Sequence, residues 1–227
     1  MNKITTILAG LFLILSSVSS HAAGGWALGV SASSNTLDTA GKEDVDSNGT
    51  IDATKNVSDD FAVGSIFAEY TNMGEKFGVT IGLDYIPFEA DIDKRSVTQT
   101  TKSLTDATST SGTNSVEGTV KDHYTMYIQP GFMIKPSTML YGTLGYASAT
   151  VNGKSTSLTH TNINKDEDLE GTKIGVGVKH VYDNGIFVKI DYSETEYDTV
   201  SWTTSNNTKA SVDLDNESYA LSIGKQF

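Results

Sequence analysis

The chain closes on Ser218-Tyr219-Ala220-Leu221-Ser222-Ile223-Gly224-Lys225-Gln226-Phe227, and the reading of this stretch decides the fold. Tyr219, Leu221, Ile223 and Phe227 share one parity, while Ser218, Ala220, Ser222, Gly224 and Gln226 share the other. Period-two alternation is the pattern of a β-strand held between two different environments. The apolar face is expected to meet lipid. Lys225 interrupts that face, and a long Lys at a membrane edge can carry its ammonium out to water.

The same alternation recurs upstream. Runs begin at Trp26, Ala62, Phe77, His123, Leu140, Lys173 and Ile186, giving eight with the terminal one. The third is the cleanest, with Phe77, Val79, Ile81, Leu83 and Tyr85 opposed by Gly78, Thr80, Gly82 and Asp84. Long polar links at 34–60, 89–119 and 152–170, and a last one through Trp202 and Asn207, alternate with tight turns at 72–75, 135–138 and 183–185. In the last turn, Asn184-Gly185 is read as a type I′ pair. The 89–119 link is Ser/Thr-rich, and its 105–115 portion is expected to be disordered. Phe77 and Tyr85, Tyr124 and Phe132, and Tyr219 and Phe227 bracket outward faces at one common spacing. On tilted strands that spacing spans roughly 20 Å of membrane normal, close to the apolar band between two aromatic girdles.

The amino terminus supports export. Met1 to Lys3 is a short basic start, Ile4 to Val18 is mostly apolar, and Ser20-His21-Ala22-Ala23 supplies small residues for cleavage. Residues 1–22 are therefore read as a signal peptide and 23–227 as the barrel domain. The absence of Cys excludes disulfides and thiolate metal sites. A hydrophobic content of 37% is thin for a conventional packed core but suits a wall whose apolar residues face lipid. The net charge of -12 argues against nucleic acid, whose phosphates demand a basic surface.

With the signal peptide, the strand pattern, the Ser65-Ile66-Phe67-Ala68-Glu69-Tyr70 strand and the terminal Phe227 in view, the chain resembles the small eight-stranded bacterial outer-membrane barrels of the OmpA-domain, OmpX and opacity-protein group. The resemblance implies an all-β fold, an eight-stranded antiparallel up-and-down transmembrane barrel in the cell outer membrane, with both termini periplasmic and the long links outside. It implies contact with outer-membrane lipid and lipopolysaccharide, and recognition of the strand ending at Phe227 by the barrel-insertion machinery. It leaves any extracellular partner unassigned, because one fold hosts many activities.

Inward parity collects Glu69, Asp84 and Asp191 with Lys121, Lys173, Lys179 and Lys189, beside His123, Tyr127, Gln129 and Tyr141. Side chains fill so narrow an interior, and a network of paired charges is the expected role. Lipid A deacylases on this fold use a His and a Ser together on the outer face. His180 is the in-strand His of outward parity, it lies near the 183–185 turn, and no Ser accompanies it. No catalytic residues are assigned and no cofactor is required.

One motif points to metal. In Asp44-Val45-Asp46-Ser47-Asn48-Gly49-Thr50-Ile51-Asp52, oxygen donors recur at alternate positions around a Gly, as in the first nine positions of a calcium loop. Asp44, Asp46, Asn48, Thr50 (through its carbonyl) and Asp52 are the candidate ligands. Lys55 stands where an EF-hand has its bidentate Glu, so only the shorter type of calcium loop is matched. The long links are acidic, with Asp38, Glu43, Asp59 and Asp60 in the first, Asp166, Glu167, Asp168 and Glu170 in the third, and Glu194, Glu196 and Asp198 near the fourth. The sequence thus reads as a non-enzymatic barrel with an envelope-structural or surface-contact role. The alternatives are a narrow porin-like channel and a lipid-modifying enzyme.

Overall fold

A computed structural model describes residues 24–44, 48–102, 109–156, 163–203 and 209–227. The signal-peptide reading of 1–22 lies outside them. The described residues form strands β1 (Gly24–Asp44), β2 (Ala53–Met73), β3 (Phe77–Ile86), β4 (Ala90–Lys102), β5 (Ser109–Lys135), β6 (Thr138–Thr156), β7 (Ile163–Val181), β8 (Ile186–Thr203) and β9 (Lys209–Gln226). β3 and β4 lie along successive halves of β5, so they act as one wall strand broken at Pro87. Proline has no N–H to give a ladder, and such a break is its usual place in a sheet. The ring β1-β2-β3-β5-β6-β7-β8-β9 closes where β9 pairs with β1, giving an eight-stranded antiparallel up-and-down barrel.

The two faces sort as the alternation predicts. Ile190, Leu221, Val176 and Leu144 are 64%, 58%, 57% and 57% exposed, whereas the opposite parity buries Thr80 and Lys179 completely. A soluble protein would not leave a whole belt of branched aliphatics in water, so this belt faces lipid. The bracketing aromatics meet across strands: Phe77 pairs with Phe132 and Tyr85 with Tyr124. On the far wall the rings of Tyr192 and Tyr219 lie 5.0 Å apart.

Space inside is made by glycine. Phe67 faces Gly29, Tyr127 faces Gly82, Tyr141 faces Gly177 and Phe187 faces Gly224, each directly across a ladder. A Cβ added at any of the four glycines would lie 2.2 to 2.6 Å from the opposing ring. Each inward aromatic therefore lies flat over a glycine, and a methyl group there would force it to move.

Four sequence readings are corrected. The 183–185 turn is not type I′: Gly185 has φ 77, and Asn184 is absent from the positive-φ residues. Its amide bonds are Gly185 N–H to Tyr182 O and Tyr182 N–H to Ile186 O, the type I turn with a glycine bulge that serves as the three-residue hairpin loop. Lys121 does not point inward. A bulge between Lys121 and Tyr124, with Asp122 at φ 55, inserts a residue and reverses the parity beyond it. Lys121 consequently reaches Asp166 at 3.2 Å on the outer face.

The third correction concerns disorder. Of the 105–115 portion, 105–108 lie outside the described residues, but Ser109 to Ser115 are strand. Threonine is a strand former, and Thr98 pairs with Thr113 and Thr101 with Thr110. Fourth, the long links are mostly strand. Asp38, Asp59 and Asp60 lie on β1 and β2, Asp166 to Glu170 on β7, and Glu194 to Asp198 on β8. β5 alone would run about 90 Å along its own axis, far more than an apolar band of about 25 Å requires.

The extra length does not form a closed tube. The β2–β3 ladder ends at Ile66–Tyr85, and among the described residues β4 pairs with β5 alone. The β7–β8 ladder ends at Gly171–Tyr197, while β7 stays on β6 as far as Ile163 and β8 stays on β9 as far as Thr203. Beyond the aromatic belt the wall therefore divides into two four-stranded leaves, β2-β1-β9-β8 and β7-β6-β5-β4, with an opening on each side.

Candidate functional site

The lumen holds the densest chemistry. Glu69 on β2 is buried, and its carboxylate accepts from Lys179 Nζ at 2.6 Å, Lys189 Nζ at 3.1 Å and the Tyr127 hydroxyl at 3.0 Å. Lys179 also donates to Thr71 at 3.0 Å, and Thr71 shares a hydrogen bond with Thr80 at 2.9 Å. Lys189 reaches Gln129 at 3.4 Å, and Gln129 donates to Thr143 at 3.2 Å. The acid thus draws β7, β8 and β5 onto β2 through charge-assisted bonds.

A second tier lies beside the first. Tyr141 donates to Asp191 at 2.5 Å, and Ser65 donates to Asp84 at 2.6 Å. Lys173 and Lys189 each lie within electrostatic reach of Asp84 and Asp191, and Lys189, bonded to Glu69, joins the tiers. With Lys121 outside, Glu69, Asp84 and Asp191 balance Lys173, Lys179 and Lys189. At the short-turn end the cluster rests on an apolar floor of Ala27, Phe67, Val181 and Phe187. The Lys179 ammonium lies 4.2 Å from the Phe187 ring centroid and that of Lys189 lies 5.0 Å from Phe67, so the floor stabilises the cations as well as excluding water. At the other end His123 Nε2 meets the Tyr197 hydroxyl at 2.9 Å across the lumen.

Inward parity identified nearly every member of this cluster but none of its pairs. It placed Thr80 and Ser65 on the inward face without partners and did not reach Thr71 and Tyr197, because the partners depend on barrel shear. His180 points outward as read, and its Nδ1 meets Thr138 Oγ1 at 2.8 Å, beside Tyr182. A Thr thus supplies the hydroxyl that no Ser supplies, and the β6–β7 register sets it directly opposite His180. Lys225 donates to the Asn184 carbonyl in the 183–185 turn, so its charge leaves the lipid face as expected.

The metal motif is seen in part. Asp44 is buried at the end of β1, and its carboxylate accepts the amides of Asn48 at 3.1 Å and Gly49 at 2.8 Å. Asn48 Oδ1 accepts the Thr50 amide at 2.7 Å, and Gly49 takes φ 89 at the bend. Asp46 lies outside the described residues. Among the described residues no group of three or more His, Asp or Glu is placed to hold a metal ion.

Acids on the projecting leaves are engaged too. Asn152 and Lys121 hold the Asp166 carboxyl below the usual carboxylate range, and Lys42 and Thr199 do the same for Asp213. In both, the hydrogen bonds to the charged form dominate.

The chain is similar in structure to the outer-membrane protein OprG of Pseudomonas aeruginosa, at 17% identity and TM-score 0.50, over 93% of this chain and 99% of that one. It is also similar to the outer-membrane protease OmpT of Escherichia coli, at 10% identity and TM-score 0.50, over 94% and 100%. The attachment invasion locus protein Ail of Yersinia pestis matches over 86% and 98%, at 14% identity and TM-score 0.34. At these identities the likeness concerns the fold. No curated protein matches the sequence. The family model for the outer membrane protein beta-barrel domain matches residues 5–227. A closed barrel with a lipid-facing belt, a polar filled lumen and a family match over almost its whole length belongs to the outer-membrane β-barrel protein family.

Proposed function

We propose that this protein is a non-conducting, non-enzymatic barrel that anchors two projecting leaves at the cell surface for envelope structure or surface contact. The long-strand end faces outside and the short turns face the periplasm. One observation carries the reading: the lumen is filled by the Glu69–Lys179–Lys189 cluster, standing on an apolar floor. A conduit would have to separate buried ion pairs, and each group freed in that way costs several kcal/mol. Most of the chain's excess length is spent on the leaves. The Thr138–His180 pair stands at the short-turn rim, and among the described residues no acid hydrogen-bonds the imidazole to orient it, as a nucleophilic centre would need.

Purified protein in planar bilayers tests the reading. No single-channel steps above the leak of a control barrel are expected; reproducible steps would favour the narrow-channel alternative.

Calcium at the 44–52 loop is a separate proposal, supported by the bend at Gly49 and the Asp44 carboxylate turned toward it. Calorimetric titration is expected to give weak, millimolar-range binding, as in extracellular modules. An Asp44→Ala, Asp46→Ala variant should lose it. Equal calcium heats in both proteins, or none in either, would leave the motif as a charged loop.

A further inference from the structure

We infer that Asn48 is a self-processing site: its side-chain amide is lost to water through a cyclic imide formed with the Gly49 backbone nitrogen, and the loop between β1 and β2 gains a carboxylate. The site shares its loop with the calcium proposal and does not depend on it. The sequence holds three Asn-Gly pairs, Asn48-Gly49, Asn152-Gly153 and Asn184-Gly185. In such a pair the nitrogen after the Asn can reach the side-chain carbonyl carbon, and glycine has no Cβ to obstruct the approach. The three differ in where the proton on that nitrogen points.

At Asn48 it points to a base. Gly49 donates its N–H to Asp44 Oδ2 at 2.8 Å, and Asn48 donates its own to Asp44 Oδ1 at 3.1 Å. Asp44 is buried, so its carboxylate is held beneath the bend. Asn48 Oδ1 accepts the Thr50 N–H at 2.7 Å, which sets a donor on the oxygen that gains negative charge when the nitrogen adds. Asn48, Gly49 and Thr50 are exposed, so water reaches them. Gly49 takes φ 89, a conformation that glycine adopts freely. Base, nucleophile, carbonyl and oxyanion donor therefore share one bend, within hydrogen-bond reach of one another.

The other two pairs serve as internal controls. Asn184 Oδ1 likewise accepts the amide of the residue after its glycine, from Ile186 at 3.0 Å, but Gly185 gives its N–H to the Tyr182 carbonyl at 2.8 Å. A backbone carbonyl cannot take the proton away. Asn152 donates its side-chain nitrogen to Asn164 at 3.1 Å and to Asp166 at 2.6 Å, and Gly153 is paired with Gly118 on one side and Lys165 on the other. The sheet commits that glycine amide to a ladder. At Asn48 the Gly49 proton passes to Asp44 as the nitrogen bonds Asn48 Cγ. The Cγ–Nδ2 bond then breaks, and ammonia leaves with that proton. Water opens the imide at either carbonyl, so position 48 becomes aspartate or its β-linked isomer. Each event consumes one water and releases one ammonia, with no oxidation or reduction. Older copies of the protein thereby carry more negative charge on the loop between β1 and β2.

The test incubates the whole protein in lipid nanodiscs in heavy-oxygen water, with a chelator to keep cations off Asp44, and follows each Asn-Gly pair by mass spectrometry after digestion in ordinary water. Heavy oxygen enters an Asn side chain only where an imide has been hydrolysed during the incubation. Label should appear at position 48 at least about tenfold faster than at Asn152 or Asn184, and about tenfold faster than at position 48 of the whole chain unfolded in urea. Asp44→Asn should slow labelling at position 48 by about tenfold and leave Asn184 unchanged. Heat-modifiable migration checks that this variant still folds. Labelling at position 48 no faster in the folded protein than in the unfolded chain, equal labelling at Asn184, or an unchanged rate in Asp44→Asn would overturn the inference. The calcium heats of the freshly purified protein are read separately, so failure of one proposal is distinguishable from failure of the other.

Discussion

Glu69→Gln is expected to destabilise the barrel by about 3–5 kcal/mol, the cost of breaking a buried ion pair by removing one partner. The substitution is close to isosteric, so packing against Tyr127 is kept and the charge alone is lost. Lys179 and Lys189 then stand buried beside a neutral amide whose NH2 group competes for the place of an acceptor. Lys189 retains Asp191 and Asp84 as charged neighbours, whereas Lys179 retains, among the described residues, the Thr71 hydroxyl as its hydrogen-bond partner. The informative comparison is Glu69→Met with Lys179→Met. It removes one charge of each sign and leaves Asp84, Asp191, Lys173 and Lys189 balanced. Buried pairs replaced by apolar groups of similar volume are often neutral or stabilising, so the double variant should unfold at higher urea than Glu69→Gln. Equilibrium unfolding in lipid vesicles, followed by tryptophan fluorescence and gel migration, gives the order. A double variant less stable than the single one would show that the cluster holds the fold by more than charge pairing.

How much of this was legible in the chain follows from what alternation can encode. Parity is a local property, so Leu83, Val176 and Leu221 were assigned to lipid and Glu69, Lys179 and Asp191 to the lumen from sequence alone. Pairing across the lumen is not local. Glu69 and Lys189 are joined only because strand order and shear bring β2, β7 and β8 to one height, and no spacing along the chain carries that information. Lys121 was misplaced because a bulge at Asp122 reverses parity, and Asp tolerates the left-handed backbone without advertising it. The leaves were mistaken for loops for a related reason. Outside the membrane both faces of a strand meet water, so polar Ser/Thr stretches lose the alternation that marks a strand. The 44–52 motif was legible as a bend, and its ligand set depends on Asp46.

The lipid-facing assignment makes a prediction graded by depth along one strand. Leu83 lies between the two aromatic pairs on β3, is 46% exposed, and pairs with Ala68 and Met126. Leu83→Arg therefore places a cation inside the apolar band, two residues short of Tyr85, at a cost approaching the ~2–4 kcal/mol of the midplane. Phe77 lies at the turn end of the same strand, 73% exposed. Phe77→Arg should cost only about 0–1 kcal/mol, because a guanidinium there reaches the interface. Thr80, between them in sequence, is fully buried on the other face and bonded to Thr71. Thr80→Val keeps its volume but deletes a hydroxyl that Thr71 uses, a loss of about 1–3 kcal/mol that does not depend on membrane depth. Parity and depth thus make separate demands on three neighbouring positions. Refolding into vesicles of longer-chain lipid should leave the Thr80→Val penalty unchanged. The Phe77→Arg penalty should rise as the thicker band covers the end of the strand, while Leu83→Arg stays costly throughout. Equal penalties at Phe77 and Leu83 in thin bilayers would place the band elsewhere on the wall, and a harmless Leu83→Arg would reverse the assignment of the faces.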